Sequence, residues 1–340
     1  MSTPTIDYTC ASCGEPAALR CVRCLGAFYC GKACQQKMWR EHKVLCKEAA
    51  KVLGEIPIDE FDKELEESKR LAETGNAKAQ YNLGLYYHHG TGVGIDKPKA
   101  IKWYTLAAEA GIVDAQVNLG ECYFVGEGVA VDLRKAFKWY SRAAEAGNVN
   151  AQFHIGNRYL YGDGVPVDKR EATKWYTRAA EAGHKDAQFN LANRYLKGDG
   201  VTVDKREATK WYKRAAEAGC APAQVNLGLS YFNGDGVTLD KREAVKWYTR
   251  AAEVGIMQAQ FLLASCFLRG DGMYAADQRE AIKWFTLAAE AGNTKAPYIL
   301  GTIYLKGDAV DVDEAIKWFT RAADAGNAEA QTILDSLQKE

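Results

Sequence analysis

Seven tryptophans constrain this chain more than any other feature. Trp103, Trp139, Trp175, Trp211, Trp247, Trp284 and Trp318 stand 36, 36, 36, 36, 37 and 34 residues apart. Each lies in a similar stretch, clearest as Trp175-Tyr-Thr-Arg-Ala-Ala-Glu-Ala-Gly183. A fixed period of this length means stacked supersecondary units, none of which buries its apolar face alone.

Each unit reads as two helices. The first begins near Asn76 and carries Ala79, Tyr81, Leu83, Gly84 and Tyr87; its next copy carries Ala115, Val117, Leu119, Gly120 and Tyr123. Spacings of three and four residues place these side chains on one helical face. The small residue at Gly84, Gly120, Gly156, Ala192, Gly228, Ala264 and Gly301 predicts close approach of a neighbouring helix. A Gly-x-Gly turn such as Gly162-Asp-Gly164 ends this helix, because glycine supplies the left-handed C-cap at little steric cost. The second helix opens at Asp96, Asp132, Asp168, Asp204, Asp240, Asp277 and Asp311. Glu171, Glu207, Glu243, Glu280 and Glu314 follow three residues later and predict a reciprocal capping box.

The pattern A-Q-x-x-L-G-x-x-Y, G-x-G-V, D, K-A-x-x-W-Y, A-A-E-x-G resembles the Sel-one-like repeat, a relative of the tetratricopeptide repeat. The resemblance covers residues 76–326 as seven units: 76–111, 112–147, 148–183, 184–219, 220–255, 256–292 and 293–326. It implies an α-α superhelical solenoid. In the last unit Pro297 replaces the glutamine and Ala309 the second turn glycine. Both ends need polar closure. Residues 48–75 are expected to hold a linker and a capping helix with Ile58, Phe61 and Leu65 inward and Glu66, Glu67, Lys69 and Arg70 outward. Residues 327–340 read as a C-terminal capping helix.

The N-terminus follows another logic. Seven of the ten cysteines and one histidine stand at Cys10-x2-Cys13, Cys21-x2-Cys24, Cys30-x3-Cys34 and His42-x3-Cys46. Eight soft donors make two four-ligand sets, as two structural zinc ions require. So short a stretch lacks an apolar core, and metal binding then supplies its folding energy. The spacing, with Tyr29 before Cys30 and Gln35 after Cys34, resembles the MYND zinc finger over residues 10–46. That resemblance implies a cross-brace, with Cys10, Cys13, Cys30 and Cys34 on one zinc and Cys21, Cys24, His42 and Cys46 on the other. Spacing alone leaves sequential pairing open. The resemblance also implies docking of short proline-containing peptides, for which Gln35 and Trp39 are the candidates. The fold class expected for the whole chain is therefore mostly α: a two-zinc cross-brace finger over residues 1–47, followed by the solenoid.

Charge limits the function classes. The chain carries 44 basic and 44 acidic residues, so wholesale electrostatic binding to nucleic acid or membranes is not expected. Residues 1–47 hold seven Lys/Arg against three acidic residues; seven thiolates and two zinc ions would bring the finger to about +1, a small excess for DNA binding. The start shows no basic and apolar leader, no apolar run approaches a membrane span, and CxxC pairs read as metal ligands in a reducing compartment. A cytoplasmic or nuclear protein, not a secreted one, is the expectation.

An extended partner segment, acidic at its centre, is expected along the first helices. Position 82 and its copies give Asn82, Asn118, His154, Asn190 and Asn226, then Leu262 and Ile299. Positions 86 and 89 share that face by helical spacing and add Arg158, Arg194 and Lys197. The bland alternative has the asparagines bonding backbone and the arginines solvated. His88-His89 is set aside as a metal site because adjacent side chains diverge, and Cys122, Cys220 and Cys266 as scattered packing residues. The Gly-x-Gly turns lack a P-loop lysine. After residue 76 no stretch is left over for a methyltransferase domain, and no paired cysteine recurs in each repeat as in the bacterial relatives described as hydrolases. The expected function is a non-enzymatic adaptor that grips one protein with the finger and another with the solenoid. Hydrolase or methyltransferase activity and nucleic-acid binding through the finger are the alternatives.

Overall fold

The computed structural model describes residues 19–20, 28–29, 58–272, 275–308 and 310–337. The chain divides into two compact units, 1–167 and 168–340.

In the first unit, β1 (Leu19–Arg20) and β2 (Phe28–Tyr29) pair antiparallel, Leu19 opposite Tyr29 and Arg20 opposite Phe28. Two residues per strand are too few for alternation to show in a sequence. Six helices follow: α1 (Ile58–Glu73), α2 (Ala77–His89), α3 (Lys97–Glu109), α4 (Val113–Val125), α5 (Leu133–Glu145) and α6 (Val149–Tyr161). The second unit holds α7 (Lys169–Glu181), α8 (Lys185–Lys197), α9 (Lys205–Glu217), α10 (Ala221–Asn233), α11 (Lys241–Glu253), α12 (Met257–Arg269), α13 (Gln278–Glu290), α14 (Ala296–Lys306), α15 (Val312–Asp324) and α16 (Ala328–Leu337). Among the described residues these sixteen helices are the architecture, and within each unit each helix packs chiefly on its chain neighbours. α1 buries Leu65 and Ala72 and turns the pairs Lys69–Glu66 and Arg70–Glu67 outward. α16 closes the other end with Ala330 and Leu334.

The tryptophans that mark the period are not its deepest side chains. That place belongs to the next aromatic: Tyr104 and Tyr140 in one unit, and Tyr176, Tyr212, Tyr248, Phe285 and Phe319 in the other. Each tryptophan lies nearer the surface, and an arginine three residues on covers the rings of Trp139, Trp175, Trp211 and Trp247 at 4.5–4.8 Å. The small residue on the first helix is explained by the buried aromatic. A Cβ on Gly84 would sit 2.5 Å from the Tyr104 ring, and one on Gly228 2.5 Å from that of Tyr248.

Two devices join one repeat to the next. Gln80, Gln116, Gln152, Gln188, Gln224 and Gln260 each donate from Nε2 to the carbonyl eight residues earlier, at 3.0–3.4 Å. Each of these carbonyls, at the end of the preceding helix, also accepts from the glycine N–H three residues on at 3.0–3.1 Å, so the glutamine takes the oxygen's second lone pair. The second turn glycine lets two backbones meet: a Cβ on Gly200 would stand 2.2 Å from the Lys169 carbonyl oxygen.

The capping box is present only in half. Asp168, Asp204, Asp240, Asp277 and Asp311 accept from the backbone N–H three residues on, as expected. The reciprocal glutamates instead pair with Lys174, Lys210, Lys246, Lys283 and Lys317. The reason is that the cap N–H is already used. Asp204, Asp240, Asp277 and Asp311 donate from the backbone to the carbonyls of Tyr195, Tyr231, Phe267 and Tyr304 at 2.8–2.9 Å.

Candidate functional site

The finger's zinc-ligand candidates, Cys10, Cys13, Cys21, Cys24, Cys30, Cys34, His42 and Cys46, lie outside the described residues, as do Gln35, Trp39 and the linker up to residue 57. The β1–β2 pair sits in the sequence between these ligand pairs.

On the first helices, position 82 faces the buried tyrosine of the preceding second helix. The Tyr104 hydroxyl hydrogen-bonds Asn118, and that of Tyr212 hydrogen-bonds Asn226. Tyr212 also donates to Asn193 Oδ1 at 2.6 Å. In the third repeat His154 stacks on Tyr140, ring centroids 4.7 Å apart and 18° from parallel, while the Tyr140 hydroxyl donates to Glu121. Asn82 and Asn190 are half-buried. Asn118 and Asn226 thus bond tyrosine hydroxyls in place of backbone, and they are committed to holding the repeats together. Burial pushes all of these phenols up, that of Tyr212 to about 12.

Arg158 and Arg194 require a correction. Neither is a solvated cation facing a groove: they are 5% and 4% exposed. Arg158 lies 3.6 Å over the Phe124 ring and pairs through Nη1 with Asp163 at 3.3 Å. Arg194 donates from Nη1 to the Asp199 carbonyl at 3.0 Å and lies 5.5 Å over the Tyr176 ring. Both latch the turn that follows their own helix. Helical spacing put positions 86 and 89 on one face, but depth separates them. Cys122, Arg158, Arg194, Ser230, Cys266 and Ile303 are buried, whereas His89, Val125, Tyr161, Lys197, Asn233, Arg269 and Lys306 are exposed. Of the three basic residues expected to meet a partner, only Lys197 remains available to one.

Among the described residues three thiols, Cys122, Cys220 and Cys266, are free and buried. Burial raises Cys122 and Cys266 to about 11 and pushes Cys220 up as well, so they remain protonated thiols and poor nucleophiles. Cys220 occupies the N-cap position of α10. Nor do adjacent histidines diverge as expected: the rings of His88 and His89 approach to 4.7 Å between centroids.

Comparison with known proteins follows this geometry. The Sel1 repeat family matches at 77–112, 113–148, 149–184, 185–220, 221–256, 258–293 and 295–327. The chain belongs to the Sel1 repeat family. Its N-terminus matches the MYND finger over residues 10–46. Among solved structures, a Sel1 repeat protein from Oxalobacter formigenes is 34% identical, with a TM-score of 0.65, covering 89% of this chain and 90% of that one. A protective antigen present in uropathogenic Escherichia coli strains and displaying an SLR fold is 37% identical, TM-score 0.76, over 79% of this chain and 58% of that one. The Drosophila melanogaster zinc finger MYND domain-containing protein 10 homolog is 42% identical over 40 residues, 12% of this chain and 9% of the relative. The curated relatives are thus matched over a small share of their length, 4–9%. No described helix of this Sel1 repeat protein is long and apolar enough to cross a membrane.

Sequence reasoning missed the glutamine ladder and the Tyr–Asn pairs of the Sel1 stack. The signal was available. Tyr104, Tyr140, Tyr176 and Tyr212 are followed fourteen residues later by Asn118, His154, Asn190 and Asn226, whereas Phe285 and Phe319 are followed by Ile299 and Ile333. Polar partners appear and disappear together in these six, and Tyr248, followed by Leu262, is the exception.

Proposed function

We propose that this chain is a non-enzymatic protein-interaction adaptor, with the finger and the Sel1 repeats as two separate docking modules. A MYND finger and a Sel1 repeat array in one chain support a protein-interaction role. The observation that carries the solenoid half is the exposed column at position 89. It reads His, Val, Tyr, Lys, Asn, Arg, Lys from repeat to repeat, while the neighbouring columns are consumed by packing. Within each unit, successive helices that change this exposed residue from step to step are suited to reading an extended partner.

MYND fingers generally bind zinc. Here seven thiols and one imidazole supply two complete tetrahedral sets, so we assign two structural zinc ions, with Gln35 and Trp39 as the surface for a proline-containing peptide. Full coordination leaves no open position for hydrolysis. A reducing compartment, cytoplasm or nucleus, follows from those free ligands and from the buried thiols.

The test is affinity capture with mass spectrometry on the full chain, comparing wild type, Cys30→Ser/Cys34→Ser and Lys197→Glu/Lys306→Glu. Loss of one partner set in the finger variant and of a different set in the solenoid variant supports the adaptor. Unchanged capture in both variants overturns it.

A further inference from the structure

Two departures from the repeat pattern meet beside a buried cysteine at one place in the first unit. Position 88 is apolar in every other repeat, as Phe124, Leu160, Leu196, Phe232, Leu268 and Leu305, but here it is His88. The residue between the turn glycines is aspartate at 163, 199, 235 and 271, but here it is the longer Glu127. Between them in space lies Cys122. One donor atom from each of His88, Cys122 and Glu127 lies within 4.8 Å of the other two. The stack itself makes this junction. The same two positions one repeat later bring Arg158 over Phe124 at 3.6 Å, so His88 meets Cys122 because repeats one and two meet there.

We propose that His88, Cys122 and Glu127 form a three-ligand site for a divalent transition metal of the zinc class, independent of the finger. A nitrogen, a sulfur and an oxygen donor are the mixture that borderline ions such as Zn2+ and Co2+ accept, with water in the fourth position. Bond lengths of about 2.0–2.3 Å need donors about 3.3–3.8 Å apart, so the widest separation closes by about 1 Å. The side chain free to supply that movement is Glu127, which is 41% exposed. His88 Nε2 already faces Glu127 Oε2 at 3.5 Å, and its buried Nδ1 has no hydrogen-bond partner.

Lys97 opposes a cation here. Its Nζ holds Glu127 Oε1 at 2.7 Å. That contact is the repeat's ordinary one, since Lys169–Asp199, Lys205–Asp235 and Lys241–Asp271 recur at 2.6–2.7 Å. It occupies one carboxylate oxygen and leaves the other toward His88. It also keeps Glu127 ionised by pulling its pKa down, while burial favours the neutral imidazole of His88. Cys122 is a protonated thiol without metal, so metal uptake forms the metal–sulfur bond and releases that proton to solvent.

The test uses the full chain, zinc-loaded and dialysed, in three forms: wild type, His88→Leu and Glu127→Asp. Both substitutions install the residue other repeats use. Metal per chain is measured by mass spectrometry, and cobalt-substituted samples are read for thiolate-to-cobalt absorption. The expected result is one equivalent less in His88→Leu than in wild type, with a matching loss of thiolate–cobalt absorption. Affinity for that equivalent should fall at least tenfold in Glu127→Asp. The finger's ligands are untouched in all three, so its occupancy cancels in the comparison. Equal metal content and superimposable cobalt spectra in wild type and His88→Leu overturn the proposal. Should His88→Leu melt early, Glu127→Asp alone decides, with unchanged affinity overturning the site.

Discussion

Removing the same hydroxyl from two equivalent tyrosines should change stability in opposite directions. Tyr212 and Tyr248 fill the same slot in successive repeats and are both about 1% exposed. Tyr212 donates to Asn193 at 2.6 Å and also bonds Asn226. At the corresponding distances from Tyr248 the sequence has Leu229 and Leu262, and the Tyr248 hydroxyl is buried with no hydrogen-bond partner. Tyr212→Phe strands two amides and should cost about 1–2 kcal/mol. Tyr248→Phe removes an orphaned polar group from an apolar site and should stabilise by about 1 kcal/mol. Phe285 and Phe319, followed by Ile299 and Ile333, are the repeat's own version of that change. The assay is urea denaturation followed by circular dichroism, with native-state hydrogen exchange at α11 and α12, since an array of this length need not unfold in one step. Leu262→Asn supplies the missing partner, so it should stabilise wild type more than Tyr248→Phe. If both tyrosine variants shift the urea midpoint the same way, the hydroxyl of Tyr248 is satisfied and the argument is refuted.

Other consequences can be checked on the same protein. Gly200→Ala forces a Cβ to within 2.2 Å of the Lys169 carbonyl oxygen at φ +74°, whereas Gly183, at φ +92°, meets nothing within 4 Å. The first change should cost at least 3 kcal/mol and the second only the left-handed backbone penalty of about 1–2 kcal/mol; equal losses in thermal melts would show that turn clearance does not matter. Arg194→Glu places an acid where a buried guanidinium held a carbonyl, and a loss of about 3–5 kcal/mol is expected; a melt like that of wild type would return Arg194 to the surface. His184 caps α8 by accepting from the Ala187 N–H through Nδ1 at 3.2 Å, and burial lowers its pKa. Because the folded state favours the neutral ring, this contribution is complete above the ordinary imidazole range and fades as pH falls below about 6.5. His184→Asn, the cap that Asn76 and Asn148 supply elsewhere, should flatten the decline between pH 6.5 and 5, measured as the urea midpoint against pH.

The features legible in the sequence were those whose causes are local. The Asp caps and the glycine C-caps act within one or two turns of chain, and the period repeats them seven times; the small residue at position 84 answers an aromatic twenty residues on, and the repeat made it legible. The reciprocal half of the capping box failed because its donor is used by a carbonyl seven to ten residues upstream, a contact made only when the helix pair closes. The candidate site was read less well for a related reason. Helical spacing gives the direction in which a side chain points but not what stands opposite it. Arg158 and Lys197 are alike in sequence; stacking put one under Phe124 and left the other exposed. His88 lies 34 residues before Cys122 and one repeat away from both Cys122 and Glu127, and adjacency in sequence gave no reason to join it to them. The sequence by itself determined the unit, its length and its caps, because these depend on backbone hydrogen bonds and side-chain period. Only the tertiary structure decided which polar groups are spent on neighbouring repeats and which remain for a partner or a metal, because that depends on how one repeat is laid on the next.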